Sequence, residues 1–264
     1  MWTDKAEYIW KIFHFLIHSA IQFFIAKIGY SYFKDQPMRA QLICFLLLGN
    51  EKIREFNQYL FNDSFLALYV ALAVYMITRN RPIYAAAFLT LSLSVKAGAM
   101  LLVPSFMGWI HYQYGTFKLI CAIALIISFQ VLIMLPVSFD PFAQLVGFQA
   151  GMTHWYDYLK YAKFLGGDKD RQYGSSYEWT IYWQIVGGKI FKSPWFADML
   201  KKLMVLVNVY YFFIRRGCLP QCFSNLFNTF RQTSNKLTWA KQRMAVELLL
   251  ICYISGVNFV PGGH

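Results

Sequence analysis

Apolar residues fall into long runs separated by short polar clusters, and the runs have lengths that suit helices. Ser64–Thr78 (SFLALYVALAVYMIT) begins directly after the polar pair Asn62–Asp63 and is short for a span unless its flanks are included. Ile83–Val103 (IYAAAFLTLSLSVKAGAMLLV) is of full length and is interrupted by Lys96. Phe117–Val137 (FKLICAIALIISFQVLIMLPV) is the clearest run. Phe196–Ile214 and Ala245–Val260 are weaker, while Tyr8–Ala26 and Gln41–Gly49 are interrupted or short and fit either a crossing or an interfacial position. A helix that crosses a bilayer needs about 20 mostly apolar residues, within a range of about 17–25. The pattern therefore predicts about six to eight membrane helices. No stretch shows the period-two alternation of a half-buried strand, and no internal repeat stands out. The expected class is all-α: a polytopic transmembrane helical protein in which residues 1–264 form one membrane domain.

Composition strengthens this reading. Of the 264 residues, 58% are hydrophobic and 14% charged, with a mean hydropathy of +0.38. Soluble domains carry about 25% charged residues, and a chain of this size lacks the interior volume to hide so much apolar surface. The opening MWTDKAEYIWKIF lacks a basic start, apolar core and small-residue cleavage site in that order, so it is not read as a signal peptide. Targeting would then come from the first membrane helix.

Charge bears on orientation. The 25 Lys and Arg outnumber the 13 acidic residues, for a formal net charge of +12. Nucleic-acid binding is one cause of such a balance, but in a polytopic chain the positive-inside bias is the more frequent one. Arg215–Arg243 holds six basic residues and no acidic one, which places it in the cytosol with Cys218 as a reporter of its side. TRNRP (Thr78–Pro82) is a second, shorter cytosolic candidate. Ser138–Glu178, with five acids and four bases, reads as neutral. Placing both basic loops inside and the neutral loop outside leaves the spans between Arg81 and Arg215 mismatched by one. Either Trp179–Phe191 crosses, or the Lys96 segment does not cross simply.

Few patterns carry familiar chemistry. There is no G-x-S-x-G, P-loop, H-E-x-x-H or dinucleotide fingerprint. Cys218 and Cys222 are spaced C-x3-C, which is neither a redox C-x-x-C nor half of a zinc site, and Cys44, Cys121 and Cys252 lie in apolar runs. His14 and His18 stand one helical turn apart, a geometry that can hold a metal. Without a placed carboxylate or thiolate, an aromatic-rich interfacial helix explains them better, and His154 with Asp157 is read the same way. Asn62-Asp63-Ser64 is a glycosylation sequon set too close to a membrane helix to be used. Polar groups at membrane depth are more informative. Lys96 lies inside an apolar run, where a charge costs at least about 2.5 kcal/mol on insertion scales, so it either faces a bundle interior or snorkels. Asp63 is placed to cap the helix that follows it. YEWTIYW (Tyr177–Trp183) is either an interfacial aromatic belt or a wall facing sugar or polyprenyl.

Three motifs in order then point to a family. They are R-x-F-N-x-x-L-F-N-D (Arg54–Asp63), LSLSVKAGAMLLVPS (Leu91–Ser105) and YEWTIYW, with YLKYAKFLGG (Tyr158–Gly167) ahead of the last. Together they resemble the dolichyl-phosphate-mannose-dependent Man5GlcNAc2-PP-dolichol α-1,3-mannosyltransferase family of the endoplasmic reticulum. The resemblance covers about Arg54–Phe191. It departs at Ala97-Gly98, where the family has Met-Asn, and at Tyr182 and Gln184, where it has Asn and Arg. The acidic residues of the family's long first lumenal loop have no counterpart in Met1–Gly49, and the end at YISGVNFVPGGH falls short of further helices. The expectation is a chain truncated at both ends, or one whose gene model is misassembled.

The resemblance implies part of a GT-C-type glycosyltransferase membrane fold and a multi-pass protein of the endoplasmic reticulum membrane. It implies inverting transfer from dolichyl-phosphate-mannose to a dolichol-linked oligosaccharide, with both lipids in the bilayer and neither metal, cofactor nor nucleic acid involved. A carboxylate base would take the acceptor proton and a cation would steady the leaving phosphate. Candidate substrate- or phosphate-facing residues are Asn62, Asp63, Lys96, Trp179 and Trp183, with Lys96 towards phosphate and Asn62 towards sugar hydroxyls. Asp63 is not the expected base, because a capping carboxylate is held in its charged form. The catalytic residues stay unassigned. Two other readings remain open. One is a transporter or channel subunit coupling through Lys96 and Asp63, which would predict internal repeats; the other is a non-catalytic fragment of the transferase.

Overall fold

A computed structural model describes residues 2–48, 63–95, 97–138, 185–191, 193–228 and 237–259. Every regular element among them is helical. In chain order these are α1 (Trp2–Tyr32), α2 (Pro37–Leu48), α3 (Asp63–Thr78), α4 (Pro82–Val95), a 3₁₀ segment (Ala97–Leu102), α5 (Val103–Tyr114) and α6 (Thr116–Ser138). After them come α7 (Gly188–Phe191), α8 (Pro194–Val209), a π-helical segment (Tyr210–Arg215), α9 (Leu219–Phe227) and α10 (Trp239–Phe259). Two of these, over Tyr8–Tyr32 and Thr116–Ile133, are long and apolar enough to cross a membrane, and Ser64–Thr78 and Pro82–Val95 are shorter apolar helices. The α6 stretch leaves Phe117, Ile120, Ile127 and Leu132 exposed. Such a surface is covered by lipid or by another chain, not by water.

Over the run Ile83–Val103 the helix changes type. Helix α4 ends at Val95 and the chain resumes as 3₁₀ helix from Ala97, with Lys96 between them outside the described residues. Pro104 supplies a physical reason, since its ring would clash with the Met100 carbonyl of a continuous α-helix and it has no N–H to donate. It sits instead in the first turn of α5, where the missing N–H is harmless.

By contacts the chain divides into two compact units. The first comprises residues 1–99, 120–126 and 234–247. Within it α3 packs against both α1 and α4. Ala71, Ala73 and Ile77 of α3 are buried, as are Ala85, Ala86, Leu89 and Leu93 of α4. The turn between them is tight. Asn80 adopts φ 61°, Arg81 N–H donates to the Met76 carbonyl at 2.9 Å and Asn80 N–H to the Ile77 carbonyl at 3.1 Å. These are the two hydrogen bonds of a Schellman C-cap, with Asn at the left-handed position. Helix α1 buries His14, Ile17, His18 and Ile21, one stripe at helical spacing, and exposes Ile9, Phe15 and Leu16. At its far end Trp239 Nε1 donates to the Ser31 carbonyl at 3.0 Å, and the Tyr32 hydroxyl donates to Glu247 Oε1 at 2.7 Å. The Arg243 guanidinium lies 4.9 Å from the Tyr32 ring centre and 5.0 Å from that of Trp239.

The second unit comprises residues 100–119, 127–233 and 248–264. Polar side chains run through it. Asn208 Nδ2 donates to the Met204 carbonyl and to Ser255 Oγ, each at 2.8 Å, while Ser105 Oγ donates to Asn208 Oδ1 at 3.4 Å. Asn208 thereby ties α8 to α5 and α10. In the π-helical segment the buried Phe212 ring faces Gly108, where a Cβ would lie 3.5 Å from it. Gly217, at φ +62°, then turns the chain into α9.

Candidate functional site

Two described regions adjoin the motifs that carry the resemblance. The first is the start of α3, directly after Asn62. There Ser64 Oγ and His18 Nε2 are 3.0 Å apart, and both residues are buried. Which of the two donates depends on the imidazole tautomer. His14, one turn earlier on α1, is 1% exposed, and neither ring nitrogen has a hydrogen-bond partner among the described residues. Its ring meets Trp10 at 5.1 Å and Phe65 at 5.7 Å between centres, both edge-on. Phe13 and Phe65 complete the aromatic packing at 5.8 Å. The hydroxyl–imidazole bond is buried and flanked by aromatic rings. Its chemistry is that of a pin, fixing the backbone that Asp63 begins.

The second region is the chain on either side of Lys96. In the second unit the Cys252 thiol donates to the Leu101 carbonyl at 2.8 Å, and Leu101 and Leu102 are buried. A 3₁₀ turn entering a new helix leaves carbonyls in need of donors, and this thiol supplies one. Nearby in sequence, α5 ends under Asn225 of α9. Asn225 Nδ2 donates to the His111 carbonyl at 2.6 Å and to that of Tyr112 at 3.0 Å, and Thr116 Oγ1 donates back to the Asn225 carbonyl at 2.8 Å. This latch buries Cys218 and Cys222. Burial pushes the Cys218 thiol up to about 12, with neighbouring Cys222 adding to the rise and Arg216 opposing it. Cys218 is therefore a poor reporter of which side of the membrane its loop occupies, contrary to the expectation from sequence.

The sequence-derived candidates Asn62, Lys96, Trp179 and Trp183 lie outside the described residues, as do His154 and Asp157. Asp63 is described as the first residue of α3, but its side chain is not, so its capping bond lies outside as well. Among the described residues no group of three or more His, Cys, Asp or Glu could hold a metal, and the four cysteines whose side chains are described, Cys121, Cys218, Cys222 and Cys252, carry free thiols. The structure adds Ser64, Asn208, Asn225 and Cys252 to the polar groups of interest. Asn208 and Ser255 had a signal, each being a polar residue inside an apolar run (VLVNVYY and CYISGV).

Residues 3–261 match the family described as ALG3 protein. Over 224 residues the chain is 25% identical to the Dol-P-Man:Man(5)GlcNAc(2)-PP-Dol alpha-1,3-mannosyltransferase of Kluyveromyces lactis. That alignment covers 78% of this chain and 44% of the relative, so the chain spans less than half of that protein's length. No solved structure matches.

Proposed function

This chain belongs to the ALG3 protein family, and we propose that it acts in dolichyl-phosphate-mannose-dependent mannosyl transfer during assembly of the N-glycan precursor. The finer reading is transfer to the lipid-linked Man5GlcNAc2 oligosaccharide with formation of an α-1,3 bond, in a multi-pass protein of the endoplasmic reticulum membrane. The observation that carries it is the family match along nearly the whole chain. The name of the Kluyveromyces lactis relative supports the choice of donor, acceptor and linkage.

In this reading the acceptor hydroxyl attacks the anomeric carbon of the β-linked mannosyl phosphate. The bond from that carbon to phosphate oxygen breaks, dolichyl phosphate leaves, and a base takes the hydroxyl proton. Lys96 follows the last residue of α4, and its ammonium would meet the charge that develops on the leaving phosphate. Asn62 would face sugar hydroxyls, Asp63 would cap α3, and Trp179 and Trp183 would line the sugar or polyprenyl path. Discontinuous helices are where membrane sites gather polar groups, and the change from α-helix up to Val95 to 3₁₀ helix from Ala97 supports this placement.

The test is transfer of labelled mannose in microsomes that lack their own activity and carry the protein or its Lys96→Met variant at matched abundance. The expected product is one α-1,3-linked mannose heavier than the acceptor. Loss of an electrostatic stabiliser of the leaving group is expected to lower transfer about a hundredfold, since such groups are worth roughly 3 kcal/mol. Full transfer by Lys96→Met would remove Lys96 from the site, and no transfer by the unaltered protein would overturn the reading itself.

A further inference from the structure

Helix α9 carries three separate stripes. Cys222 and Asn225 are buried, continuing from Cys218 before them. Leu219, Phe223, Leu226 and Phe227 are 44%, 53%, 53% and 84% exposed. Their spacing of i, i+4, i+7 and i+8 gathers them on one side of the helix. Ser224 and Asn228, exposed as well, lie on another. The helix thus has one face on the protein, one apolar and open, and one polar and open.

The Asn225 latch makes this arrangement rigid. Two carbonyls at the end of α5 accept from its carboxamide, and Thr116 Oγ1 donates to its carbonyl. The apolar stripe cannot roll inward without breaking those bonds. At 9 residues, α9 is about 13 Å long, far short of the roughly 30 Å hydrocarbon core. It cannot cross. It can lie along a bilayer, as amphipathic helices do when apolar residues stand opposite a polar face.

We propose that α9 lies in the headgroup boundary of the membrane, with Leu219, Phe223, Leu226 and Phe227 inserted among lipid chains. Two observations choose lipid over protein as the occupant. The chain that leads into α9 already exposes Val205, Leu206, Val209, Tyr210 and Ile214, so the open stripe follows directly on a helix that is itself exposed along apolar residues. At the junction Arg215 and Arg216 are both exposed. Arg216 is steadied by Tyr211, whose hydroxyl accepts from its Nη2 at 2.9 Å and whose ring centre lies 5.3 Å away. Paired guanidinium groups beside an apolar stripe match the anionic headgroups of a cytosolic leaflet, where each basic residue is worth about fivefold in binding. The inference concerns how the chain meets the bilayer and does not depend on mannosyl transfer.

The test places p-benzoylphenylalanine at Phe223 or Phe227 in the full chain. The protein is reconstituted in phosphatidylcholine vesicles with or without phosphatidylserine, and also kept in native microsomes. After irradiation, mass spectrometry of the peptide spanning α9 identifies the adduct. Phospholipid adducts at both positions are expected, and Arg215→Glu with Arg216→Glu should abolish any gain from phosphatidylserine. A protein adduct in microsomes would overturn the proposal in favour of a partner chain. Recovery of unmodified or water-quenched probe at both positions would show a stripe open to solvent and would equally overturn it.

Discussion

The α3–α4 seam of the first unit and the Asn208 seam of the second hold helices together by different means. The first is built from small side chains. Ala71, Ala73, Ala85 and Ala86 are buried there beside Ile77 and Leu89, and small residues let helix backbones approach closely where lipid removes any hydrophobic gain from association. The second is threaded with polar groups: Ser105, Asn208, Ser255 and Cys252 bond across helices, and Asn225 clasps α5 to α9. The first should therefore fail by crowding and the second by loss of a donor.

The sharpest break concerns thiol chemistry in the second unit. Cys218 is fully buried and its thiol is held up to about 12, against an ordinary value of about 8.5. At neutral pH it carries on the order of 10³-fold less thiolate than an exposed cysteine. Its alkylation should rise with pH throughout the alkaline range, whereas that of a cysteine placed by Ser224→Cys should level off by about pH 10. Asn225→Ala removes the latch and should raise labelling of Cys218 by two to three orders of magnitude, on the order of the lost suppression. Maleimide labelling with peptide mapping reads this directly. In sealed vesicles whose cytosolic face is outward, Ser224→Cys should also label without permeabilisation. An unchanged Cys218 rate in Asn225→Ala would show that the latch does not hold α9 down.

Crowding is the next largest effect. Ala85 and Ala86 have no exposed surface, so Ala85→Leu must push α4 away from its neighbours. Overpacking of this kind costs about 1–3 kcal/mol, and thermal unfolding in detergent should show it. Labelling of Cys218 should stay low in this variant if the two seams fail independently. Asn208→Leu should cost less, about 0.6–1.7 kcal/mol, the range seen for polar contacts between membrane helices. If Asn208→Leu proves the more damaging of the two, the polar seam is the principal support and the contrast is reversed.

These seams were unequally legible in the sequence. The expected runs Ser64–Thr78 and Phe117–Val137 correspond closely to α3 and α6, because an apolar run bounded by polar turns leaves a membrane helix few alternatives. The run Ile83–Val103 is of full length but interrupted by Lys96, and the charge balance leaves open that it does not cross simply; Pro104 is the signal for where α-helix resumes. The Asn225 latch joins residues more than 100 positions apart, and no periodicity reports such a pairing. The candidate site was proposed by another route, from three motifs in order, and it rests on residues outside those described, apart from the backbone of Asp63. Apolar run length supplied the helices, and motif order supplied the family.

The smallest quantity, a coupling energy, tests the contrast from within the first unit. Its alanine seam lies beside one polar pin, the 3.0 Å contact between His18 Nε2 and Ser64 Oγ. Ser64→Ala alone should destabilise by about 1–3 kcal/mol, because it strands a buried imidazole nitrogen. His18→Leu alone strands the buried Ser64 hydroxyl and should cost a similar amount. The double variant removes both polar atoms and should be less destabilised than the sum of the singles. The coupling expected from membrane double-mutant cycles is about 0.6 kcal/mol. A coupling near zero would mean that packing of α1 on α3 holds this corner, with His14, Trp10 and Phe65 carrying it. A coupling above about 2 kcal/mol, beyond the range for such contacts, would instead make the start of α3 as dependent on hydrogen bonding as the Asn208 seam. The two units would then differ in degree and not in kind.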